Sequence, residues 1–144
     1  MKKFIRRYKF KLIFILFTVF VITVIFALFS VDSSTNTANI EYITTYGWQV
    51  DSSPIEIAHV RLPEDLNSLY RTYNSLAAAQ GYTLENYCGK NVTRYSYKVN
   101  NHKESSGDVR ANIYVYKSQI IAADISILKP DGTTVPINDT SNMN

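Results

Sequence analysis

Arg110, Asn112, Tyr114 and Tyr116 stand at alternate positions of a run whose remaining positions are Val109, Ala111, Ile113 and Val115. If that run is extended, the four polar and aromatic side chains leave the backbone on one face and the aliphatic ones on the other. Arg94 and Lys98 have the matching parity on the preceding strand-like run, and Asp124 has it on the following one. The expectation is a patch of Arg94, Arg110, Asn112, Tyr114, Tyr116 and Asp124 across three strands, combining guanidinium, amide, phenol and carboxylate groups. Tyrosine and arginine are enriched in binding hot spots, so such a face suits a ligand. The plainer alternative is the solvated side of an antiparallel sheet, where tyrosine is at home.

Other residue sets point to no reaction. Cys88 with His59 or His102 supplies the parts of a thiol nucleophile and base, but the spacing carries no signal. A packed thiol and two surface histidines are the preferred reading, since a reactive cysteine needs a local electropositive setting that the sequence does not show. The histidines and scattered carboxylates include no pair at metal-ligand spacing. No Asp or Glu is singled out as half of a glycosidase pair. Gly89-Lys90 is followed by Asn91 where a phosphate loop needs Ser or Thr, and Gly81 lies too far upstream. The sequence therefore predicts no catalytic residue, no metal and no cofactor, and the protein is not expected to be an enzyme. One cysteine permits no internal disulfide, so packing alone must hold the fold.

Elements that would position the candidate face can be read from periodicity. Residues 92–99, 109–117 and 119–128 alternate as strands, the first pair joined by the polar loop 100–108 and the second by Lys117-Ser118. On the third run Ile121, Ala123, Ile125 and Ile127 share a face. Pro63-Glu64-Asp65 reads as a helix start. Leu66, Leu69, Tyr70, Tyr73, Leu76 and Ala77 then form one apolar stripe before Gln80-Gly81, so a helix over 64–80 is predicted. Shorter elements are a helix over 37–46 closed by Gly47, extended segments at 48–51 and 55–62 with a bulge near Ala58-His59, a turn at 84–87 and a short strand over 133–137. The fold class is α+β: an N-terminal transmembrane helix, then an antiparallel β-meander packed by one long and one short helix. The long helix is expected across the aliphatic face, with Leu66, Leu69, Tyr73, Leu76, Ile113, Val115, Ile125 and Ile127 in the core.

The transmembrane assignment rests on the run 12–29 (LIFILFTVFVITVIFALF), eighteen residues without charge, Gly or Pro. At about 1.5 Å per residue it nearly spans a hydrocarbon core about 30 Å thick. Lys2, Lys3, Arg6, Arg7, Lys9 and Lys11 precede it, and no positive charge follows until Arg61. That asymmetry predicts a cytoplasmic N-terminus and an extracytoplasmic domain. The run exceeds a signal-peptide core and its exit lacks a small-x-small pair, which favours a retained anchor. The organisation read from the chain is a basic tail at 1–11, an anchor at 12–31, a linker at 32–38, one domain at 39–137 and a polar tail at 138–144. Removing the six N-terminal basic residues leaves nine basic against twelve acidic, a net charge of −3, which argues against a nucleic-acid surface. The partners expected are the lipid bilayer, through Leu12 and the residues up to Phe29, and an envelope protein or wall polymer.

Beyond the anchor, Tyr46-Gly47-Trp48, Leu62-Pro63, Tyr73-Asn74-Ser75-Leu76, Gln80-Gly81, Tyr87-Cys88-Gly89-Lys90, Tyr95-Ser96-Tyr97, Val109-Arg110-Ala111-Asn112 and Ile120-Ile121 follow one another over the stretch 46–121. In this order they resemble the domain of unknown function 4830 family, found in Gram-positive bacteria, often behind a single membrane anchor. Ala122-Ala123 and Ser118 depart from that pattern where Gly is common. The resemblance implies an envelope-facing domain and supplies no activity. Two function classes follow: a membrane-tethered binding or accessory module at the bacterial cell envelope, or an extracytoplasmic enzyme with an unrecognised site. A deep pocket with perturbed titratable groups would favour the second.

Overall fold

The alternating segments form five antiparallel strands: β1 (Glu56–Arg61), β2 (Asn91–Lys98), β3 (Asp108–Tyr116), β4 (Gln119–Leu128) and β5 (Thr134–Pro136). They lie side by side in chain order, a meander. The computed structural model describes residues 2–65, 68–104 and 108–144, without the side chains of 2–13, 25–32, 68 and 69. Two helices accompany the sheet, α1 (Lys2–Thr45) and α2 (Ser68–Ala78), with a 3-10 turn at Leu84–Tyr87. The chain divides into two compact units, Met1–Thr35 and Asn36–Asn144.

The first unit is helical throughout its described length. Phe14, Ile15, Leu16, Phe17, Val19, Phe20 and Ile22 are exposed. The hydroxyls of Thr18 and Thr23 donate to the carbonyls of Phe14 and Phe20, each at 2.8 Å, so these polar groups are satisfied within the helix. Among the described residues no helix is long and apolar enough to cross a membrane. Residues 32–38, read as a linker, are helical.

The second unit starts with the end of α1, which stops where expected. Gly47 takes φ +87°, and its N–H donates to the Thr44 carbonyl at 2.9 Å. Ile43 is buried from this end of α1, with Ile40, Tyr42 and Tyr46 packed beside it. They cover the face made by Tyr95, Tyr97, Val109, Ala111, Ile113, Val115, Ala123 and Ile125, together with Trp48 and Ile137. The Trp48 indole N–H donates to the Ile137 carbonyl at 2.8 Å, joining the start of the domain to its end. The segment 138–144, read as a tail, is docked. Lys103 N–H donates to the Asn142 carbonyl and Asn144 N–H to the Asn101 carbonyl, both at 2.8 Å.

The long helix therefore lies on the side opposite to the one expected. Ala77 and Tyr70 of α2 pack with Leu62, Leu84, Val92, Ile121, Ala122, Tyr114 and Tyr116. The aliphatic face was already taken by α1, and the second face holds enough apolar surface to receive another helix. Of the expected core, Ile113, Val115 and Ile125 are buried and Ile127 is partly buried. Tyr73 and Leu76 are half-buried on α2. Leu66 and the Leu69 side chain lie outside the described residues. Ile121 also changes side. Tyr114 pairs with Ala122 and Val115 with Ile120, so Ile121 has no partner across the ladder and turns toward α2. No bulge occurs at Ala58-His59, where pairing with β2 is unbroken.

Lys117 and Ser118 both have positive φ, 47° and 65°, as a two-residue hairpin turn requires. An L side chain is strained there and glycine is not, so Ser118→Gly is expected to raise stability by about 0.5–1 kcal/mol. In contrast, Ile113 is fully buried in the central strand, and Ile113→Ala should cost about 2–5 kcal/mol. Denaturant unfolding followed through the fluorescence of buried Trp48 measures both.

Candidate functional site

On the α2 side the sheet changes character along its strands, row by row. One row pairs Glu56 with Ser96, Ser96 with Asn112 and Asn112 with Asp124. The next row toward the Lys117-Ser118 turn pairs Ala58 with Arg94, Arg94 with Tyr114 and Tyr114 with Ala122. Beyond it come Val60 and Val92. The face thus runs from polar to apolar, and α2 packs at the apolar end.

The polar row is wired across four strands. Ser96 Oγ donates to Asn112 Oδ1 at 2.7 Å, and Asn112 Nδ2 donates to Asp124 Oδ1 at 2.7 Å. Ser126 Oγ donates to the same carboxylate oxygen at 2.6 Å and lies 3.1 Å from Thr134 Oγ1 on β5. Ser96, Asn112, Asp124 and Ser126 are all buried. Burial without such partners costs several kcal/mol per group, so the bonds are what make this face tolerable inside a protein. At the rim, Glu56 is shared by two guanidinium groups, those of Arg94 and Arg110. Arg110 is also held by Asp108, with Nη2 and Oδ2 2.6 Å apart.

The predicted six-residue face exists in parity but is not an open surface. Asn112 and Asp124 are interior, and Arg110 is locked between Glu56 and Asp108. Tyr116 is half-buried, edge-on to Tyr87 with ring centroids 5.5 Å apart. Arg94 and Tyr114 alone of the six line a cavity of about 190 Å³ between α2 and the sheet. Its wall is completed by Val60, Leu62, Tyr70, Tyr73, Leu84, Ile121 and Ala122. Sequence reasoning missed these because it placed α2 on the other face. One signal was available: Val60 and Leu62 share parity, and an apolar pair there needs a cover of its own.

Electrostatics around the cavity follow from burial. Desolvation pushes the Asp124 carboxyl above the usual carboxylate range, against the pull of Ser126, Asn112, Tyr114 and Arg94. Its Oδ2 is buried with no well-aligned hydrogen bond among the described residues. Desolvation also pushes up the phenols of Tyr114 and Tyr73, with the nearby Asp124 charge adding to both. Arg94 Nε is buried and has no partner among the described residues, although Arg94 Nη2 is engaged by Glu56.

The other sequence candidates are placed elsewhere. His59 is exposed and meets Thr93 Oγ1 at 3.2 Å. His102, expected at the surface, is buried and stacks on Trp48 with centroids 5.9 Å apart. Its Nδ1 accepts the Glu104 N–H at 2.9 Å. Both imidazoles are thus engaged away from Cys88, whose thiol is free. Among the described residues no group of three or more His, Cys, Asp or Glu is arranged to hold a metal ion.

This arrangement defines a small α+β domain whose antiparallel meander carries a helix on each face and a tyrosine-walled cavity on one of them. The chain belongs to the family described as Domain of unknown function (DUF4830), which matches residues 42–125. No curated protein and no solved structure matches it.

The raised Asp124 value has a consequence for stability. Folding takes up a proton between the ordinary carboxylate value and the raised one, so this group's contribution is most favourable below the ordinary value, falls as pH rises through that window, and is level above it. Asp124→Asn keeps an acceptor for Asn112 and Ser126 and removes the titration. Denaturant unfolding of both chains from pH 3.5 to 8 should show the variant gaining on the parent as pH rises above the ordinary carboxylate value.

Proposed function

We propose that this chain is a single-pass membrane-anchored binding module of the bacterial cell envelope, with its ligand seat in the cavity between α2 and the sheet. Residues 12–31 form the anchor, with the tail at 1–11 in the cytoplasm and the domain outside. Supporting the anchor are the uncharged helical run, its exposed Phe, Ile and Leu side chains, the internally satisfied Thr18 and Thr23, and the basic residues confined to one end. The family resemblance supports an envelope setting in a Gram-positive bacterium.

The observation that carries the binding reading is the cavity wall itself: mainly aliphatic and aromatic side chains with a few convergent polar groups, the usual make-up of a small-molecule site. Because the cavity holds only about 190 Å³, an envelope protein or wall polymer would reach it with a single side chain or end group. A second reading, an extracytoplasmic enzyme, draws on the raised values of Asp124, Tyr73 and Tyr114 in one place. Against it, Asp124 Oδ1 is already committed to Asn112 and Ser126.

Two measurements test the proposal. Protease added to intact protoplasts should remove the domain and leave the anchor, whereas protection of residues beyond 35 would contradict the topology. A photoreactive phenylalanine in place of Tyr70, on the cavity wall, should form a discrete adduct in cells. Val60→Phe in the same chain, by filling the cavity, should abolish it.

A further inference from the structure

We propose that the cavity takes an uncharged, ring-sized molecule carrying one hydrogen-bond acceptor, which receives the N–H of Arg94 Nε. This rests on the cavity being the ligand seat and names the chemical class that fits there.

Size sets the first limit. An apolar cavity of about 150 Å³ takes up benzene. At about 190 Å³ this one has room for a six-membered ring and a substituent of two or three heavy atoms. The lining sets the second. Val60, Leu62, Leu84, Ile121 and Ala122 offer aliphatic contact, and Tyr70, Tyr73 and Tyr114 offer ring faces and edges. A flat apolar body is favoured over a sugar, whose hydroxyls would each need a partner that an aliphatic wall does not supply.

The polar part of the ligand follows from Arg94. A carboxylate ligand draws on two parallel guanidinium donors. Here Nη2 already donates to Glu56 Oε1, which balances the charge as well. Of the other Arg94 N–H groups, the Nε–H is the one that is buried and unpartnered among the described residues. One donor with its charge already neutralised matches one neutral acceptor, such as a ketone, amide or ester carbonyl. The mainly aliphatic and aromatic lining further disfavours an anion, which would lose its hydration there without a free cation to replace it.

The test uses the full chain in nanodiscs with three monosubstituted benzenes: acetophenone, toluene and benzoate. Binding is read from the methyl resonances of Val60 and Ile121, with free-probe concentrations corrected against empty nanodiscs. Acetophenone should bind roughly tenfold tighter than toluene, the range expected for one hydrogen bond to a charged donor, and benzoate should bind more weakly than either. Arg94→Lys keeps a cation for Glu56 but lacks Nε, and should bring acetophenone down to the affinity of toluene; Arg94→Gln serves if the lysine chain does not fold. Val60→Phe, or Ala122→Leu if the first does not fold, should remove binding of all three probes. Equal affinities for acetophenone and toluene would overturn the Arg94 contact, and tightest binding by benzoate would overturn the neutral-ligand assignment. If no probe binds while the Tyr70 adduct still forms in cells, the ligand class is wrong and the seat stands. If both fail, the seat falls as well.

Discussion

A single row of hydrogen bonds, from Ser96 through Asn112 to Asp124 and on through Ser126 to Thr134, allows this sheet to be covered on both faces. An antiparallel meander ordinarily spends one face on its core and leaves the other to water. Here the second face would expose polar groups if open and strand them if closed. Pairing them with each other, strand to strand, removes the penalty of closing it. Within the row, Asp124 Oδ2 is left buried without a well-aligned partner, and desolvation raises that carboxyl above the usual carboxylate range.

The same row separates two chemical zones. On one side lie charged groups neutralised in place, with Glu56 between Arg94 and Arg110, and Asp108 beside Arg110. On the other lies the apolar end that receives α2. Arg94 and Tyr114 stand on the boundary and thereby become the polar features of an otherwise apolar cavity. Gln80 ties the end of α2 to the sheet, its Nε2 donating to the Ala123 carbonyl at 2.8 Å. The bulge at Ile121 serves the same layer, since it moves one large aliphatic side chain from the α1 side to the α2 side. The cavity is a product of strand register, the bulge and helix placement together.

How much of this was legible depended on whether the signal was local. Strand alternation gave β2, β3 and β4 and put Arg94, Arg110, Asn112, Tyr114, Tyr116 and Asp124 on one face, because side-chain parity is a property of the backbone. Gly47 marked the end of α1 and Lys117-Ser118 the tight turn, each through its own φ preference. What could not be read locally was which layer covers which face. Asn112 and Asp124 look solvent-facing by composition, and only their mutual hydrogen bonds make them interior. Ile121 follows the aliphatic parity of its neighbours until a bulge, set by the partner strand, reverses it. His102 reads as a loop residue, yet the docked segment 138–144 and Trp48 enclose it.

The central claim is that the Asn112–Asp124 contact is a coupled, interior interaction on which the covered second face depends. A double-mutant cycle with Asn112→Ala and Asp124→Ala, measured by denaturant unfolding of the full chain through Trp48 fluorescence, addresses it directly. The account predicts a coupling free energy of about 1–3 kcal/mol, because removing either partner costs the other one of its buried hydrogen bonds. Additive effects, with coupling below about 0.3 kcal/mol, would contradict it, since residues on an open and hydrated face behave independently.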